Sequence, residues 1–138
     1  MSVEENKRIA HRIYEIINSG NVAEVDQVIA RDIVDHEEMP GLEGSGVERF
    51  KQFLSIFRAA FPDLRMSAED VIAEGDRAAV RYTMTGTHRG EFMGMAPTGK
   101  QITVAGIEII RVAGGKAVEH WGVTDQMAML QQLGAIPA

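Results

Sequence analysis

The hydrophobic period of the chain changes once, and the place of that change limits the folds open to it. Up to Phe61 apolar residues recur every three or four positions, as Ile9, Ile13, Ile16 and Ile17 and again as Phe50, Phe53, Leu54 and Phe57. That spacing gives a helix one buried stripe. From Leu64 onward, alternating and β-branched stretches take over in "MSAEDVIAEGDRAAVRYTMTGTH", "KQITVAGIEIIRV" and "KAVEHWGV", parted by turn signals at "EGD" and "AGG". These predict consecutive strands. Helices first and strands afterwards, without alternation, predict an α+β domain with N-terminal helices packed on one face of a curved, mainly antiparallel sheet. A sheet bent over helices leaves a cone, and the inside of a cone is a pocket.

Local signals set the expected boundaries. Ser2 and Glu5 have the spacing of a capping box ahead of the isoleucine stripe, Gly20 stops that helix, and Asn21 is placed to cap a shorter helix carrying Val25, Val28 and Ile29. "DIVDHEEMPGLEGSG" reads as a short extended piece followed by a loop, and Ser45 with Glu48 repeats the capping-box spacing before the phenylalanine-rich helix. Asp125 and Gly134 bracket a short C-terminal helix, "QMAMLQQL". With 138 residues the chain fits a single domain over 1–138.

Composition removes several classes of chemistry. The absence of cysteine excludes disulfides, thiolate metal sites and cysteine nucleophiles. Fourteen basic against 20 acidic residues leave a net charge of −6 with the cations scattered, so no nucleic-acid partner is expected. "MSVEENKRIAHR" lacks the apolar centre of a signal peptide and no apolar run has membrane-spanning length, which makes the cytoplasm the expected compartment and a membrane partner unexpected.

Candidate chemistry gathers in "IEIIRVAGGKAVEHW". Read as a hairpin with a three-residue loop at Ala113, Gly114 and Gly115, it sets Ile110 opposite Val118 and Glu108 opposite His120, with Ile107, Ile109 and Trp121 on the other face. An acid beside an imidazole on a half-buried face is one way to build a tuned acid or base, and equally an ordinary cross-strand pair. A second polar group, "VDHEE", carries Asp35, His36, Glu37 and Glu38, but neither an HExxH helix nor a DxDxDG loop is present, so no metal site is expected. His88 stands near a strand end, and Phe92, Met93 and Met95 suit either a hydrophobic lip over the pocket or core.

"TGTHRGEFMGMAPTGKQITVAGIEIIRVAGGKAVEHW", followed by "LQQLG", resembles the SnoaL-like polyketide cyclases of the NTF2-like superfamily of cone-shaped domains, and the likeness runs along nearly the whole chain. The resemblance implies a cyclase-related function, acid/base ring closure or isomerisation of a small, apolar, ring-bearing carbonyl compound without metal or organic cofactor. It also implies that the Glu108 and His120 face looks into the cone. The aspartate that serves the cyclases as acid on their last strand falls on Gly122, a histidine of the preceding strand falls on Glu108, and His120 matches a further histidine. More distantly the chain resembles ketosteroid isomerases, whose two carboxyl groups fall near Asp35 and on Glu108. Their oxyanion tyrosine falls on Ile13, which puts Tyr14 about 100° out of phase on the helix.

The resulting expectation is specific. Asp35 acts as base, Glu108 as acid with raised pKa, and His120 orients Glu108 or stabilises an enolate. Tyr14, His36, His88, Phe92 and Ile110 touch the substrate. The apolar outer face with Ile107, Ile109 and Trp121 pairs with a second copy to give a homodimer. A non-catalytic small-molecule binding protein of the same superfamily is the alternative, as is an association domain with a vestigial cavity.

Overall fold

The structure, a computed structural model, describes residues 2–39 and 41–138. Helix α1 (Val3–Ser19) leads through a 3-10 turn at Val22–Glu24 and the one-turn helix α2 (Val25–Val28) to strand β1 (Ile29–Asp35) and helix α3 (Val47–Ala60). Strands β2 (Arg65–Glu74), β3 (Arg77–Thr87), β4 (Gln101–Ala113) and β5 (Lys116–Thr124) follow, and helix α4 (Gln126–Leu133) closes the chain. The five strands form one sheet in the order β1-β5-β4-β3-β2. Strands β2 to β5 pair antiparallel, while β1 runs parallel to β5 along the edge. This is the expected α+β cone, helices against one face of a bent sheet.

Helix α1 begins and ends as its sequence dictates. The Ser2 hydroxyl accepts from the Glu5 backbone N–H at 3.1 Å, satisfying one of the donors that a helix start leaves free. At the other end Gly20 takes the left-handed conformation (φ 72°), and Arg58 of α3 donates to the carbonyls of Ile17 and Asn18 at 3.0 and 3.2 Å. A cation there suits the negative end of the helix dipole. The stripe of Ala10, Ile13, Tyr14, Ile16 and Ile17 is buried against the concave sheet face, each large side chain contributing about 1.5–3 kcal/mol by leaving water. Asn18 fixes the angle of approach by exchanging two hydrogen bonds with the Met66 backbone of β2.

Three expected boundaries move. Asn21 makes no side-chain cap bond, and Ile29 already belongs to β1. Helix α3 is preceded by Gly46 rather than capped by Ser45. The reason is a close approach: Gly46 has φ 66°, and a Cβ there would lie 2.5 Å from the Arg31 carbonyl oxygen. Pro40, expected in this loop, lies outside the described residues.

The phenylalanines of α3 divide by position. Phe57 and Leu54 are in the core, where Phe57 packs on Phe92 at 5.1 Å between ring centroids and Phe61 packs on Phe92 at 5.4 Å. Phe50 and Phe53 turn instead toward the cavity. Among the described residues no helix is long and apolar enough to cross a membrane.

Candidate active site

The β4–β5 hairpin places the central residues by a register that the loop glycines determine. Gly114 and Gly115 both have positive φ, 59° and 80°, which makes a two-residue turn of the type favoured by the twist of hairpins. Ala113 therefore pairs with Lys116, and an extra residue at Val118 then shifts the ladder, so that Ile110 faces His120, Ile109 faces Trp121 and Glu108 faces Gly122. The tighter turn and the bulge each move the pairing by one residue. Glu108 and His120 end up diagonal rather than opposite, yet still on the concave face, because a shift of two preserves the side on which each residue points.

That face lines a mostly apolar cavity. Its apolar walls come from Ile13 and Ile17 of α1, Phe50 and Phe53 of α3, and Met84 and Ile110 of the sheet. Met39 and Leu42 of the loop after β1 also border it. The polar groups Asp35, Glu37, Arg49, Tyr82, Glu108, His120 and Thr124 converge on one side of this apolar space.

His120 is the centre of that polar side. Its Nδ1 lies 2.9 Å from Asp35 Oδ1 and its Nε2 2.8 Å from Glu108 Oε2. Asp35 is in reach because β1 runs parallel beside β5 and pairs Asp35 with His120. Burial alone would lower the proton affinity of the imidazole, but the two carboxylates outweigh it and push the pKa up to about 10 from 6.5. The ring is thus a cation at neutral pH, and both nitrogens donate. Burial would likewise raise the Asp35 carboxyl, yet the bond and charge of His120, the Glu37 backbone N–H and the Arg49 cation together hold it below the usual range. Arg49 Nε stands 3.5 Å from Asp35 Oδ2.

Tyr14 reaches the same cluster although it was expected out of phase. Its hydroxyl donates to Glu108 Oε1 at 2.5 Å, and burial with the adjacent carboxylate keeps the phenol well above its ordinary pKa, hence a donor. Ile13, at the aligned position, lines the apolar wall. Asp35, Glu108, His120, Tyr14 and Ile110 therefore meet in one place.

The other three expected contacts lie elsewhere. His36 alternates to the outer face, where it stacks on Trp121 at 5.1 Å and bonds Glu119 at 2.6 Å. His88 is fully buried beyond the cavity, its Nδ1 2.9 Å from Thr98 Oγ1 and its ring beside Phe61. Phe92 fills the core against Phe57 and Phe61, so of the two readings of that segment it takes core, while Met93 is exposed. The backbone of 88–100 folds back on itself and is pinned to the end of α3 through the Ala60 carbonyl, which carries both residues away from the mouth.

Four polar residues of the site were not among the expected catalytic or substrate-touching residues. Glu37 follows Asp35 by two and so shares its face, a period-two signal present in "VDHEE". Tyr82 lies inward between Val80 and Met84 on β3, and Thr124 continues the inward row of β5. Arg49 has no sequence signal beyond its place on α3. Glu37 Oε2 accepts from Thr124 Oγ1 at 2.9 Å, and Tyr82 and Thr124 share a hydroxyl contact of 2.6 Å. Among the described residues no group of three or more His, Asp or Glu side chains is arranged to hold a metal ion.

Comparison with known proteins gives one consistent grouping. A match to the SnoaL-like polyketide cyclase family spans residues 7–133. The nogalonic acid methyl ester cyclase of Streptomyces nogalater is 25% identical over 118 residues, 85% of this chain and 88% of that protein. Among solved structures, AclR of Streptomyces galilaeus, a candidate hydroxylase, superposes with a TM-score of 0.87 at 34% identity, covering 99% of this chain and 85% of that one. IdmH of Streptomyces antibioticus, a candidate polyketide cyclase, gives 0.81 at 32% identity, over 94% of this chain and 98% of that one.

Proposed function

We propose that this chain, which belongs to the SnoaL-like polyketide cyclase family, catalyses acid/base ring closure or isomerisation of a neutral, ring-bearing carbonyl compound using its own side chains. The observation that carries the proposal is the imidazolium of His120, held between Asp35 and Glu108 at the polar end of an otherwise apolar cavity. Charged and hydroxyl groups fixed at one end of a poorly solvated site hold and return the proton that a carbon next to a carbonyl gives up. For ring closure, that carbon's electron pair forms a bond to a second carbonyl carbon of the same molecule, and the resulting alkoxide takes up a proton. No atom is gained or lost overall.

The side chains divide the work. Asp35, paired with His120 and Arg49, anchors the imidazole rather than accepting the substrate proton. Glu108, between Tyr14 and His120, completes the charge pairing from the opposite side. The apolar walls hold the rings and exclude water, which strengthens each charge interaction inside. The naming of a relative for nogalonic acid methyl ester supports esters of polycyclic polyketides as the substrate class.

The outer sheet face supports a second part of the reading, association of two copies. Ile107 is 55% exposed and Val123 76% exposed, opposite each other on β4 and β5, with Ile109 beside them. Trp121 is half covered by His36 and by Arg77, whose guanidinium lies 4.8 Å from the ring centroid. A charged border of Arg77, Arg111 and Glu119 around an apolar centre suits self-pairing across a two-fold axis.

Incubation with nogalonic acid methyl ester, followed by chromatography and carbon-bound deuterium uptake, tests the catalytic reading. Product formation by the wild type, lost in Asp35→Asn and Glu108→Gln with ligand binding retained, is the expected result. Binding without product or exchange would replace it with a non-catalytic binding protein, and unchanged turnover in both variants would sink the assignment of the site.

A further inference from the structure

We propose that Glu37 is the catalytic residue that exchanges the proton with the substrate, and that Gly122 is the gap on strand β5 that admits it. The proposal rests on the acid/base reading above and names the proton carrier within that same site.

Gly122 stands between His120 and Thr124 in the inward row of β5. Its backbone does not need glycine, since its φ is not positive. What excludes a side chain is a neighbour. A Cβ at Gly122 would lie 2.5 Å from Glu37 Oε1 and 3.2 Å from Glu37 Cδ, with His120 Cε1 next at 3.3 Å. The space a residue-122 side chain would fill is therefore filled by the Glu37 carboxyl group, delivered from the segment after β1. A carboxyl group thus lies against β5 at residue 122 although it is attached 85 positions earlier in the chain.

The carboxyl group is held for use. The Glu37 N–H donates to Asp35 Oδ1 at 2.9 Å and its carbonyl accepts from Arg49 at 2.9 Å. Oε2 accepts a hydrogen bond from the Thr124 hydroxyl, which obliges Tyr82 to donate to Thr124 in turn. Oε1 accepts no hydrogen bond among the described residues and sits 3.9 Å from His120 Nε2. Both oxygens of Asp35 and both of Glu108 are already engaged. Of the three carboxylates, Glu37 has the oxygen whose nearest charged partner stands farthest off, 3.9 Å against 3.5 Å for Asp35 Oδ2, and the residue lines the cavity.

The surroundings give that oxygen a suitable proton affinity. Facing Glu37 are His120 of β5, Glu108 of β4, Asp35 of β1, Tyr82 of β3 and Arg49 of α3. Burial, with the negative charges of Glu108 and Asp35, raises its pKa against the opposing Thr124 bond and His120 charge. A carboxylate with raised proton affinity is a better acceptor for the substrate proton.

The test compares wild type, Glu37→Gln, Glu37→Ala and the double variant Glu37→Ala/Gly122→Asp with nogalonic acid methyl ester, alongside Asp35→Asn. In Glu37→Gln, kcat should fall on the order of 100-fold or more with KM little changed, and the acidic limb of the kcat profile should disappear. The double variant, which places the acid on strand β5, should recover at least about tenfold over Glu37→Ala. Turnover by Glu37→Gln within about threefold of wild type, while Asp35→Asn is inactive, would overturn the role of Glu37 and leave the proposed function standing. Absence of turnover by the wild type counts against the proposed function itself. In that case carboxyl carbon NMR decides on Glu37: titration above the ordinary value of about 4.3 is expected, and an ordinary or lower midpoint overturns the proposal.

Discussion

Replacing Asp35 by asparagine probes the charge state on which the site depends. In the folded chain His120 faces a carboxylate at each nitrogen, 2.9 and 2.8 Å away, and its pKa stands at about 10 against 6.5 for a free imidazole. A shift of that size corresponds to roughly 5 kcal/mol at about 1.4 kcal/mol per unit, the net of burial, which opposes it, and the two carboxylates, which exceed that opposition. Asparagine keeps the shape and an acceptor oxygen but removes the charge, and because burial still opposes the proton, the His120 midpoint should fall by more than half the shift, to below about 8. The sign for stability follows: the folded state holds the proton more tightly, so the contribution is complete below about pH 6.5 and is lost as pH rises toward 10. Urea unfolding between about pH 6 and pH 10 should show the wild type losing stability and Asp35→Asn losing less than half as much. Above pH 6 the lowered carboxyl of Asp35 is ionised throughout and does not contribute to the slope. Imidazole proton NMR reads the midpoint directly, with His120→Gln for assignment. A wild-type midpoint at or below about 6.5, or one that Asp35→Asn leaves in place, would refute the argument.

Two further outcomes are expected. Gly106→Ala would push a Cβ into the Tyr82 hydroxyl, so urea unfolding should show a loss of about 1–3 kcal/mol and Tyr82 should leave Thr124; a neutral substitution would mean the sheet yields there. Val123→Lys, placed at the centre of the outer face, should convert a dimer to a monomer in sedimentation velocity with the fold retained by circular dichroism, and a wild type already monomeric would remove the proposed pairing.

The fold was legible because it rests on period. Isoleucines three and four apart and the later alternation fix helix faces and strand faces without reference to anything distant. The hairpin shows what local reasoning misses: a two-residue turn and a bulge at Val118 each slip the ladder by one, and only their sum returned Glu108 and His120 to the same side. The partnership of His120 with Asp35 was out of reach, because it depends on a parallel pairing of β1 with β5 that no local signal announces. Tyr14 was placed out of phase by alignment, yet a long side chain on a helix covers the missing distance to Glu108. His88 and Phe92 misled for the opposite reason, since a polar loop at a strand end resembles a functional one until its backbone is seen pinned against α3. Glu37 was visible as a same-face neighbour of Asp35, but in a run of four acidic and imidazole side chains it looked like solvated loop.

The pairing of β1 with β5 also sets the order in which this site comes into being. Asp35 and His120 are 85 residues apart, and the contacts between them close most of the chain into one loop, an ordering cost met late in folding. While the protein is being synthesised, the first acidic residues emerge long before the imidazole that will neutralise them, and helices α1 and α3 have no completed sheet to cover. The charged cluster therefore appears only with the last strand, which carries His120. A chain caught before that step exposes its phenylalanines without any function in return, so substitutions that slow the docking of β1 on β5 should lower the yield of folded protein before they alter the chemistry of what does fold.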